Sequence, residues 1–342
     1  MSENMREPLQ DIRHGFVELM RQMLDRYGIV MALVLMVIVL TIMKPDYFPT
    51  VGNLTNVARQ ISFNAMLALG QFIVILTAGI DLSVGSVTAL CMVVLAIMTH
   101  SGVPDVIALL LTLCVGLLAG LMNAWGLTKL RLPHPFISTL AMLNIARGIT
   151  FLISEGVPIS GLPPAVRFFG SNDIYLFGEG DSSVVVPVSL IVVLVAYAVA
   201  GVFLMRTRTG RHIYAVGGNP QAARYSGISV DRILTIVYVL CGLTAAMGGI
   251  LLAGRTNSGY PNAGTGAELD AIAAVIIGGA SFFGGRGTVV GTFVGVVIMG
   301  LLRNGLNLMD VSAFWQMVVI GVVIVLAVYV DVLRQRVPQQ QR

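Results

Sequence analysis

Residues 106–127 read VIALLLTLCVGLLAGLMNAWGL, twenty-two positions without a charge. At about 1.5 Å per residue they make a helix of about 33 Å, long enough for a hydrocarbon core of about 30 Å. The stretch therefore reads as a membrane span. Working outward from it, nine further apolar stretches follow the same logic: 28–43, 61–80, 83–99, 135–153, 184–205, 233–253, 266–283, 288–309 and 312–330. Of the 38 charged residues in the chain, these ten stretches contain only Arg147, Glu268, Asp270 and Arg303. Such segregation is what the cost of a charge in hydrocarbon produces. The expected fold is an all-α integral membrane protein of about ten transmembrane helices, some broken or short.

Composition agrees. Of 342 residues 11% are charged, against about 25% in soluble domains, and the mean hydropathy is +0.87. A chain this apolar cannot present a water-facing surface, so its solvent is the lipid bilayer. The net charge of +4 is small and scattered, which excludes a nucleic-acid partner. The two lysines, Lys44 and Lys129, follow no glycine, so the chain has no Gly-Lys-Ser/Thr loop for a nucleotide phosphate. Cys91, Cys114 and Cys241 lie in apolar runs without CxxC spacing and read as packing rather than metal ligands. His14, His100, His134 and His212 are scattered and no HExxH or GxSxG occurs, which argues against an intramembrane enzyme.

Three regions follow: a polar segment at 1–27, a membrane domain at 28–330 and a tail at 331–342. In the first, Ile12, Phe16, Met20 and Met23 recur at helical spacing, as in an amphipathic helix lying on the cytoplasmic surface and unlike a cleaved signal peptide. With this end inside and ten crossings, 15 of the 21 basic residues fall on the inner side. The segment 154–183, with Glu155, Asp173, Glu179 and Asp181 against Arg167, falls outside, and both termini are cytoplasmic. The turn at 79–83 has no positive charge and reads either as a full loop or as a re-entrant break.

The motifs lie where the apolar pattern is interrupted. In Thr77-Ala-Gly-Ile-Asp81-Leu-Ser83-Val-Gly-Ser86, Asp81 or Ser83 can cap the following helix; equally, a broken helix within a membrane can line a translocation path. Gln60, Asn64 and Gln71 share a helical face, suited either to a neutral hydroxylated solute or to bonding between helices. In 266–283 the uncharged part is too short to span, so Glu268 and Asp270 enter the membrane region. There they face a polar path, or they cap the helix and pair with Arg303. Asn304 and Asn307, at i, i+3 on the next span, are similar path candidates, and Arg147 is expected to snorkel from a helix end. The largest inner loop, 206–232, holds Gly217-Gly218-Asn219-Pro220-Gln221-Ala222-Ala223-Arg224-Tyr225-Ser226-Gly227. Asn219 suits an N-cap, Pro220 the first helical position and Gly227 the terminator, giving a two-turn helix. So short a helix is marginal in water and reads as a packed connector or as a docking element for a partner.

Here a resemblance becomes specific. Gln221-Ala222-Ala223 followed by Gly227 resembles the EAA-x-x-x-G coupling loop of ATP-binding-cassette (ABC) importer permeases, with Gln where Glu is usual. Together with Gly79–Ser86, Gly210–Ile228, Gly266–Gly287 and Asn304–Leu308, it makes the chain, over about residues 28–335, similar to the permease subunits of ribose/xylose/arabinose-type importers of the bacterial inner membrane. The resemblance implies several properties. Residues Gly218 to Gly227 dock a separate ATPase dimer, which binds the ATP and Mg; an extracytoplasmic solute-binding protein delivers a pentose-like sugar; and a second permease subunit, identical or not, completes the core. No cofactor is expected in this chain. The competing expectation is a cation-coupled secondary carrier with Asp81 or Glu268 as a protonatable relay.

Overall fold

The computed structural model describes residues 28–177 and 184–336. The expected surface segment 1–27, positions 178–183 of the long connection and the tail beyond residue 336 lie outside the described residues. The described part is helical. α1 (Gly28–Met43) is followed by α2 (Val51–Leu76), α3 (Val84–His100), α4 (Asp105–Thr128) and α5 (Pro135–Ser154). The long connection holds β1 (Ile159–Ser160), α6 (Pro164–Ser171), β2 (Asp173–Phe177) and β3 (Val184–Pro187). Then come α7 (Val188–Arg206), α8 (Arg208–Gly218), α9 (Pro220–Tyr225), α10 (Val230–Thr256), β4 (Ser258–Gly259), α11 (Ala267–Ile277), α12 (Val289–Leu308) and α13 (Ala313–Arg336). Seven of these, α2, α4, α5, α7, α10, α12 and α13, are long and apolar enough to cross a membrane; α1 and α3 are shorter apolar helices.

α2 and α10 form the centre and are mostly buried, whereas only 11% of the α13 span is buried, as suits a helix with one side facing lipid. Close approach depends on small residues, because lipid offers no hydrophobic drive for helices to associate. Gly116 and Gly120 of α4 oppose Gly242 and Tyr238 of α10 so closely that a β-carbon on any of the three glycines would overlap the facing backbone. A β-carbon on Gly70 of α2 would overlap the Thr244 hydroxyl of α10 and crowd Cys241, and Gly249 of α10 faces Thr88 and Cys91 of α3. Thr88 Oγ1 adds a cross-helix bond to the Ala245 carbonyl at 3.1 Å.

Three parts depart from the expectations. α2 starts ten residues before the expected 61, with Thr50 Oγ1 accepting from Asn53 N; polar Asn53, Asn56, Arg59 and Gln60 hide its first turns from a hydropathy reading. The expected span 184–205 starts as helix only at Val188, because Val184–Pro187 form β3 of the preceding connection. β1 pairs antiparallel with β4 (Ile159 opposite Gly259), β2 with β3 (Asp173 opposite Pro187), and Gly170 of α6 packs on Gly254 of α10. An Arg59–Asp173 ion pair ties β2 to α2.

The third departure is 266–283, which is not one span. α11 has 11 residues, about 16 Å, and stops at Gly278. The chain before it supplies the missing depth. Gly259 lies against Met92, Val93 and Ala96 of α3, whereas Gly264 lies against Gly85. Within five residues the chain thus descends past about two turns of α3, about 12 Å, and α11 starts from within the bundle. Gly264 and Gly266 make the reversal with φ of +66° and +79°, which a β-carbon would strain.

Candidate functional site

Two places concentrate the predicted residues: the α9 end of the bundle and the zone where α3 and α11 begin. At the first, local sequence folds as expected. Asn219 Oδ1 accepts from Gln221 N (3.0 Å) and Ala222 N (2.9 Å), Pro220 opens α9, and Gly227 follows its end at φ +82°. Ala223 is buried and anchors the helix, while Gly218, Asn219, Pro220, Gln221, Ala222, Arg224, Tyr225, Ser226 and Gly227 are exposed; Tyr225 is 91% exposed. An exposed aromatic ring on a two-turn capped helix presents a ready contact.

α2 ends at Leu76 and the chain reverses at Thr77–Gly79, with Ala78 at φ +58°. It then climbs back beside α2 before α3 starts, so the segment is a re-entrant break. Gln71 marks the climb: its carboxamide, oriented so that its nitrogen donates to the Asp81 carbonyl (3.0 Å) and its oxygen accepts from Asp81 N (3.2 Å), replaces the strand partner the break lacks. Asp81 Oδ1 accepts from Ser83 N (2.8 Å) and Ser83 Oγ (2.6 Å), and Asn123 Nδ2 of α4 donates to Asp81 Oδ2 (3.2 Å) and Ser83 Oγ (2.9 Å). Of the two expected caps of α3, Ser83 precedes the helix but its side chain does not cap it, because its hydroxyl is turned to Asp81; Asp81 is the one that accepts from a backbone N–H there, that of Ser83. Asp81, Ser83 and Gln71 are all buried. A buried carboxylate is costly unless hydrogen-bonded, and three donors supply that requirement here.

At the second junction, Arg147 does not snorkel. Its Nη1 donates to the carbonyls of Pro261 (2.7 Å) and Ala263 (2.9 Å), clamping the descending turn; carbonyls freed from regular structure inside a membrane need such donors. A side chain at Gly85 would meet the Gly264 carbonyl and, at 2.5 Å, the carboxylate of half-buried Glu268. Glu268 therefore lies where α3, α11 and the turn before α11 converge, and it interacts electrostatically with Arg147. Asp270 pairs with Arg303 at 2.5 Å, as one of the two expected arrangements had it.

The remaining path candidates separate. Asn304 exchanges amide bonds with Asn53 of α2 (2.7 and 3.2 Å), and Asn307 Oδ1 accepts from Gln316 Nε2 of α13 (2.7 Å), so both join helices. Gln60 and Asn64 are half-buried on α2, and their side chains take part in no hydrogen bond among the described residues. Nothing in the amide pattern of α2 separated Gln71 from Gln60 and Asn64; the tertiary fold does. Sequence reasoning missed Asn123, although it is the lone carboxamide in the apolar run 106–127 and so carried a signal. Among the described residues no group of His, Cys, Asp and Glu is arranged to hold a metal ion.

A family model described as branched-chain amino acid transport system / permease component matches residues 53–328. The chain is 42% identical over 309 residues to the ribose import permease protein RbsC of Bacillus subtilis, covering 90% of this chain and 93% of that one. It is 43% identical over 310 residues to the ribose import permease protein RbsC of Escherichia coli K12, covering 90% and 94%. With the xylose transport system permease protein XylH of Escherichia coli K12 it shares 34% over a 370-residue alignment, 93% of this chain and 94% of that one. No solved structure matches the chain.

Proposed function

The chain belongs to the branched-chain amino acid transport system / permease component family, and from that premise we propose that it is the membrane-spanning permease of an ATP-driven importer, carrying a ribose-class sugar across the bacterial inner membrane. The similarity to ribose and xylose permeases over nine-tenths of the chain supports the substrate class. The observation that carries the ATP-driven part is α9, a capped two-turn helix anchored by Ala223 with an exposed Tyr225. A self-sufficient carrier has no use for such an element.

In this reading the seven long helices, the shorter α1 and α3, and the half-helix α11 make ten membrane segments, with both termini cytoplasmic. α9 then faces the ATP side, where the inner basic residues cluster. Gly218 to Gly227 dock a partner ATPase, which binds ATP and Mg; the binding protein delivers sugar at the opposite face, and a second permease subunit completes the path. No covalent chemistry occurs in this chain. Closure of the ATPase displaces α9, and the bundle alternates access to a polar zone within the membrane. Gln60, Asn64 and Glu268 line that path, because uncharged amides and a carboxylate bond hydroxyl groups. Gln71, Asp81, Ser83, Asp270, Asn304 and Asn307 hold the walls.

The test changes Pro220 and Ala222 together to tryptophan. The variant inserts into the membrane at the normal level but no longer co-purifies the ATPase. Normal co-purification would overturn the coupling role of α9.

A further inference from the structure

α8 ends at Gly217–Gly218, immediately before the cap of α9, and what that end touches is unusual. A β-carbon on Gly217 would overlap the Leu76 carbonyl, the last of α2, and lie 2.7 Å from Gly285 N. Gly285 N in turn donates to that same Leu76 carbonyl at 2.9 Å. Gly284, at φ +84°, has no room for a β-carbon between Ala78 N (2.8 Å) and the Gly217 carbonyl (2.9 Å); at Gly285, φ +70°, one would lie 2.9 Å from Gly218. Tyr214 Oη closes the joint from α8 by donating to the Gly287 carbonyl at 3.0 Å, and half-burial holds the phenol above its ordinary pKa, so it stays a donor. Three backbones therefore meet without intervening side chains: the α8–α9 corner, the α2 re-entrant break and the turn between α11 and α12.

Each of the other two backbones leads into the bundle. From Ala78 the break runs through the Gln71–Asp81–Asn123 cluster to Gly85 at the start of α3. From Gly278, α11 runs back to Glu268, which lies against Gly85. Backbone packed on backbone transmits displacement because it has no side-chain rotamers to absorb it. We propose that this glycine joint is the linkage through which movement of α9 reaches the α3–α11 junction, moving both sides of the path from one corner. The inference rests on the importer reading above.

The test reconstitutes the full chain with its ATPase and binding protein in proteoliposomes and measures D-ribose uptake per ATP hydrolysed. Tyr214→Phe removes one hydrogen bond at a half-buried position. It is expected to co-purify the ATPase normally and keep basal hydrolysis while uptake per ATP falls about tenfold, within the usual range of a site-to-site coupling. Gly284→Ala, which forces the joint apart, is expected to lose more. Wild-type uptake per ATP in Tyr214→Phe would overturn the linkage, whether or not Gly284→Ala assembles. Failure of the unmodified chain to bind the ATPase at all would instead overturn the importer reading.

Discussion

Asp81 decides what the α2 break is. Among the described residues no arginine or lysine lies within ion-pair distance of it; its stabilisation comes from Ser83 N, Ser83 Oγ and Asn123 Nδ2. Replacing it by asparagine turns one of its two accepting oxygens into a donor that faces another donor. Asp81→Asn is therefore expected to destabilise the protein by about 1–3 kcal/mol, seen as a lower melting temperature in detergent with uptake falling in parallel. Uptake lost at an unchanged melting temperature would move Asp81 from the wall to the path. Residues that act over short sequence distances were legible beforehand: Asn219, Pro220 and Gly227 lie within nine positions and their geometry is local. Arg147 was not legible, because its partners lie 114 and 116 positions away and hydropathy cannot distinguish a snorkelling arginine from a clamping one.

Elements were legible where length alone determines them. The run 106–127 folds as α4, which extends one residue past it at each end, to Asp105 and Thr128, and stops at Lys129; the charges Asp105 and Lys129 bound it. α11 escaped because a half-helix and a following turn rich in glycine have the same mean hydropathy as a full span; only the descent of residues 259–264 beside α3 reveals that less helix is needed. The contact between α4 and α10 carries a sharper expectation. Gly116→Leu places a large side chain against the Gly242 carbonyl, and overpacking of this kind costs about 1–3 kcal/mol. Its melting temperature in detergent is expected to fall, whereas the same change at Gly148 on α5, where nothing lies within 4 Å of a β-carbon, leaves it unchanged. Equal effects at both positions would mean that α4 and α10 do not pack through this seam.

At the scale of the whole molecule, the low charge of the chain separates into functions. Arginines and carboxylates within the bundle brace the segments that break regularity: Arg147 the turn before α11, Arg303 the start of α11. The short capped helix α9 is set at the corner where α8 meets two broken segments. A bundle built for an independent carrier needs the broken segments but not the corner. The central claim, that this permease runs on ATP hydrolysed by a partner, is tested most directly in right-side-out proteoliposomes holding the chain and its ATPase, with the binding protein and labelled D-ribose outside. Uptake is expected to require ATP and Mg inside the vesicles and to be unaffected by a protonophore; uptake that persists without the ATPase and collapses with the protonophore would contradict it.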